Sequence, residues 1–110
     1  MKYIFIFLFI TFSSLSVSAQ KGNINKPDSS KEIRIVETSC GSCQFHLPGN
    51  GCNLAVRIDG KAYYVTGTSI NDHGDAHADN GFCNAIRKAE VQGTIVKNKF
   101  KVSYFKLLPE

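Results

Sequence analysis

The run LAVRIDGKAYYV, from Leu54 to Val65, constrains the fold more than any other part of the chain. Leu54, Val56 and Ile58 alternate with Ala55 and Arg57, and Asp59-Gly60 supplies the two-residue type I′ turn that hairpins prefer. Such a turn sets Ile58 opposite Lys61, Val56 opposite Tyr63 and Leu54 opposite Val65. Directly opposed residues share a face of the sheet. Leu54, Val56, Tyr63 and Val65 are therefore expected to form one buried stripe, with Arg57 and Tyr64 on the other side.

A second hairpin follows from RKAEVQGTIVKNKFKVSYFKLL near the C-terminus. Val91 and Ile95 lie on its outgoing strand, KNK is the turn, and Phe100, Val102 and Tyr104 alternate on the return. The alternation then changes phase to Phe105 and Leu107, which predicts a β-bulge of the kind that bends strands at barrel corners. Gly93 offers a second bending point. EIRIVET, in which Ile33 and Ile35 alternate with Arg34 and Val36, reads as a first strand leading into Cys40. Between the hairpins, Asp72 or Asp75 can cap a short helix through about Ala78, ended by Gly81. Five strands with a helix after the third give a mostly-β fold: a small OB-like five-stranded antiparallel barrel with one short helix, stapled by cysteines.

The first 19 residues are read separately. Lys2, the apolar run YIFIFLFITFSSLSV and the small residues before Ala19 have the form of a secretory signal peptide, residues 1–19. The run is too short, and too rich in serine at its end, for a membrane span of roughly 20 apolar residues. Residues 20–31, QKGNINKPDSSK, are polar and are expected to be a flexible leader. Residues 32–110 then form a single small β domain, with no membrane span after cleavage. Taking Lys2 from the 13 Lys and Arg leaves 12 against 9 acidic residues. That mild excess, together with export, gives no reason to expect nucleic acid. The expected location is periplasmic or extracellular, where cysteines are commonly paired.

Three of the four cysteines fall within TSCGSCQFHLPGNGC. Cys40 and Cys43 form a C-x-x-C, the pattern of thiol–disulfide redox proteins, but that chemistry wants the motif to open a helix that lowers the thiol pKa. Pro48, Gly49 and Gly51 stop any helix within about a turn. Cys40, Cys43, Cys52 and Cys83 are disulfide candidates, and four cysteines allow three connectivities. A Cys40–Cys43 bond would close only a tiny loop, whereas bonds from this cluster to Cys83 would tie distant segments. The same four side chains are an alternative thiolate site for tetrahedral zinc or for copper(I).

A second candidate metal site lies in NDHGDAHAD. His73 and His77 are four apart and share a face if that segment is helical. Two imidazoles at this spacing can chelate Zn²⁺, Cu²⁺ or Ni²⁺, with Asp72 or Asp75 as a further ligand or as a group orienting the rings. The pattern lacks H-E-x-x-H, so it carries no metalloprotease base. A solvated turn with acidic residues near a helix start explains the same residues without a metal.

The segments CGSCQF, GCNLAVRIDGKAYYVTG, DHGDAHADNGFCNAIRKAEVQG and FKVSYFKLL resemble a family of small exported bacterial proteins of unknown function. The resemblance implies export and a compact, mostly-β domain, and no particular activity. The expected function is a small non-enzymatic binding domain, with a transition metal such as zinc or copper as the candidate ligand. The alternatives are a structural or interaction module that meets another envelope protein, and a thiol–disulfide redox protein using Cys40 and Cys43.

Overall fold

The computed structural model describes residues 24–110; the expected signal peptide lies outside the described residues. Five strands form a closed barrel: β1 (Arg34–Cys40), β2 (Leu54–Ile58), β3 (Lys61–Thr66), β4 (Arg87–Val96) and β5 (Lys99–Leu107), joined in the order β1-β2-β3-β5-β4. This is the OB-like barrel expected from the hairpin pattern. One pairing differs from an all-antiparallel arrangement, because β3 and β5 run parallel, with Val65 beside Phe100. The cause is parity. Neighbours around a closed ring of five strands cannot all alternate in direction, so one pair must run the same way.

Both hairpins have the expected turns. Asp59 and Gly60 take positive φ, and Ile58 pairs with Lys61 and Val56 with Tyr63. Lys97 and Asn98 form the second turn, also at positive φ, and Val96 pairs with Lys99. The bulge is present as well. Gln92 opposes Tyr104 and Gly93 opposes Val102, so Ser103 has no partner. The extra residue shifts the phase of β5, and Val102, Tyr104 and Phe105 are all buried.

The core is built from Val36, Leu54, Val56, Val91, Phe100, Val102 and Phe105, with Phe82 and Ile70 closing over it from the β3–β4 connection. The inward side of β1 is Val36, Thr38 and Cys40; Ile33 and Ile35 are exposed. Thr38 and Ser39 are fully buried because their hydroxyls reach backbone carbonyls. Thr38 Oγ1 donates to the Ala55 carbonyl at 2.8 Å, and Ser39 Oγ lies 2.6 Å from Phe82 O and 2.7 Å from Ala85 O.

The short helix is not where the capping residues placed it. A 3₁₀ turn, Ile70–His73, starts earlier, with Ser69 and Asp72 forming a capping box. Gly74, at φ 104°, stops it. Isolated turns follow, such as Ala78 N–H to Asp75 O. Among the described residues one α-helical turn forms, α1 (Gly41–Gln44), and it overlaps the C-x-x-C.

Within the described part of the polar leader, Asp28 and Lys31 are held against the barrel. The Gln92 side chain accepts from Asp28 N–H at 2.8 Å and donates to the carbonyls of Asp28 and Lys31, each at 2.9 Å. Phe105 N–H donates to Ile24 O, and Ile24 packs on the core. One amide side chain thus satisfies three backbone groups of a segment too polar to dock by apolar burial. Among the described residues no helix is long and apolar enough to cross a membrane.

Candidate metal centre

The four cysteine sulfurs all lie within 4.8 Å of one another at one end of the barrel. They arrive from three segments. Cys40 is the last residue of β1, paired with Leu54 at the start of β2. Its N–H donates to Phe82 O at 3.0 Å, and Gly41 N–H donates to Asn53 O at 2.8 Å. The chain then makes the single turn α1, which brings Cys43 back beside Cys40. Cys52 sits just before β2, and Cys83 lies in the connection that leads to β4.

Neighbouring contacts hold these segments together. Gln44 Nε2 donates to Cys83 O at 2.9 Å, linking the helical turn to the last cysteine. Ser42 Oγ donates to Gly51 O at 2.8 Å and lies 3.6 Å from Cys40 Sγ. Phe45 lies under the Arg57 guanidinium, whose charge is paired with Glu37 on the adjoining strand. Tyr64 hydroxyl donates to Pro48 O at 2.8 Å. Its ring covers Gly41, where a Cβ would sit only 2.5 Å from Tyr64 Cε1. The loop can pass this close to β3 because residue 41 has no side chain.

The sulfurs also share protons. Burial pushes the Cys40 thiol up, but hydrogen bonds from Cys52, the Cys43 backbone N–H, Ser42 and Cys43 outweigh it and bring Cys40 down to about 7. Burial, then the hydrogen bonds with Cys40 and Cys83, push Cys52 upward. Cys43 is raised mainly by its hydrogen bond with Cys40. One thiolate, held by its neighbours, is the state from which a soft cation begins to displace the remaining protons.

The histidine segment is arranged differently. The 3₁₀ turn ends at His73, so His73 and His77 do not share a helical face. His73 packs against Phe105, with ring centroids 4.3 Å apart, and against Phe82, and its Nε2 lies 2.9 Å from Thr68 Oγ1. His77 is exposed. Asp72 caps the turn through Ser69 N–H, and Asp75 accepts from His77 N–H. His46, in the loop after α1, is exposed. Among the described residues the group of three or more His, Cys, Asp or Glu side chains that converges is the four cysteines.

Burial pulls the His73 imidazole below its usual 6.5, with Asp72 partly opposing. The unfolded chain therefore takes up this proton at a higher pH than the folded one. Stability from neutral His73 is complete above 6.5 and is lost as pH falls through the lower folded value. Urea midpoints measured across this range are expected to fall with acid. A His73→Gln variant is expected to be less stable but to lose that part of the pH slope.

Residues 34–108 match the model of a family of unknown function, DUF6370, and the chain belongs to that family. No curated protein and no solved structure matches the chain.

Proposed function

We propose that this protein is an exported, non-enzymatic domain that binds one soft d¹⁰ ion, Zn²⁺ or Cu⁺, through Cys40, Cys43, Cys52 and Cys83. The observation that carries the reading is the convergence of all four sulfurs within 4.8 Å. Sulfurs at about 2.3 Å from a tetrahedral zinc lie roughly 3.8 Å apart, so a small inward movement suffices for ligation. Two disulfides would require only that the sulfurs approach in pairs. A single ion requires four-way convergence. The donor set supports the ion class, since thiolates select Zn²⁺ and Cu⁺ over hard cations.

Location bears on the chemistry. The signal-like form of residues 1–19 supports export to an oxidising compartment, where empty thiols would oxidise and bound ones would be protected. The experiment is metal and thiol counting by native mass spectrometry, on protein exported by its own leader and purified without reductant. One ion per chain, held by four sulfurs with no disulfide among them, is the expected result. Two intact disulfides, and no ion bound even after reduction and zinc addition, would overturn the reading and favour a disulfide-stapled interaction module.

A further inference from the structure

The four sulfurs are not equivalent. Cys40 has no exposed surface and belongs to the core, and Cys52 and Cys83 are half-buried and pack against it. Cys43 is exposed and stands outside that packing. It is carried by a single helical turn, whereas Cys40 is fixed in the sheet. Three sulfurs thus form a base set into the barrel end, and the fourth closes the cluster from the solvent side.

We propose that the bound ion is exchanged through Cys43, by replacement of its sulfur with that of an incoming thiol-bearing acceptor. This rests on the metal-binding reading above. Attack from the barrel side is blocked by the core beneath Cys40, so an incoming ligand reaches the ion at the face Cys43 occupies. The acceptor thiol gives up its proton as its sulfur bonds to the metal. The bond from the metal to Cys43 Sγ breaks, and that thiolate takes up a proton. The number of thiolates on the ion and its oxidation state are unchanged throughout. A mixed complex results, with the three inner cysteines and one external sulfur on the ion, and a second acceptor thiol can then draw the ion away. Both candidate ions suit such a step. Zinc sites with three protein ligands hold an exogenous fourth, and soft copper(I) is retained by thiolates.

The test uses zinc-loaded protein, with glutathione as the probe thiol and native mass spectrometry as the readout. Cys43→Ser is expected to keep one zinc ion, with weakened affinity, and to gain one glutathione held through the metal. Cys43→Ala, at the same exposed position, is expected to behave alike. Cys52→Ser and Cys83→Ser are expected to form no such adduct, because those positions are half-buried and packed against the core. Equal adduct formation at all three positions would overturn the proposal, as would loss of zinc from both Cys43 variants. If the unsubstituted protein holds no zinc, the metal site itself has failed. If it holds zinc and only the adduct pattern is wrong, the exchange route alone has failed.

Discussion

Serine at Cys40 is expected to abolish tight ion binding and to remove the stability that the ion confers. Cys40 is the one ligand fixed by the sheet ladder, by its N–H bond to Phe82 O and by complete burial. A hydroxyl is a poor ligand for a soft ion, and no nearby His, Asp or Glu joins the cluster among the described residues. The affinity loss should be about 100-fold or more, or roughly 3 kcal/mol. About the same amount should vanish from the stability of the zinc-loaded protein, because four sulfurs that only the fold brings together would make the proposed ion favour the folded state. A competition titration against a chelating dye gives the first number, and denaturant unfolding with and without zinc gives the second. Cys40→Ala separates ligation from packing, since both variants should lose that part of the zinc-dependent increment whatever their metal-free stability. An undiminished zinc-dependent increment in either would place the ion elsewhere.

The second large effect is expected far from the sulfurs, at Gly93. Here β4 crosses the bulge in β5, and a Cβ would collide with the Lys101 carbonyl oxygen, while lying 3.0 Å from Val102 Cα and 2.8 Å from Phe100 Cζ. Two of these three neighbours are backbone atoms held in the ladder, so relief requires moving a strand. Gly93→Ala should therefore cost about 3 kcal/mol, at the upper end for overpacking. For a domain of this size that is a fall in Tm of roughly 12–24 °C. Thermal unfolding of metal-free protein measures it without interference from the ion. A loss below about 1 kcal/mol would show that β5 can slide at the bulge.

The two hairpins and the bulge were legible in the sequence because each is fixed by local chemistry. Asp59-Gly60 sets one register, and the changed phase between Tyr104 and Phe105 announces the extra residue. Other features depend on partners far along the chain. Nothing in EIRIVETSC says that Ser39 is buried while Ile35 is exposed; that follows from carbonyls at Phe82 and Ala85, more than 40 residues away. The docked leader likewise depends on Gln92, whose amide could have faced water. At the site, the Cys40–Cys43 pair was visible as a spacing. Cys52 and Cys83 were candidates for the same set, but the geometry of their convergence is a product of barrel closure, which spacing does not encode. The helical face drawn for the histidines fails for a related reason: spacing of four has meaning only on a helix, and Gly74 ends the turn before His77.

The separation of the cysteines also orders events in time. Cys40, Cys43 and Cys52 lie within one short stretch, while Cys83 lies beyond the β2–β3 hairpin, in the connection that packs over the core. Contacts this distant in sequence form late, since loop closure must come first. An emerging chain therefore presents three reactive sulfurs before the fourth can join them. Ion capture by the full set would mark a barrel that has finished folding, and a chain caught earlier would be exposed to mispaired cross-links.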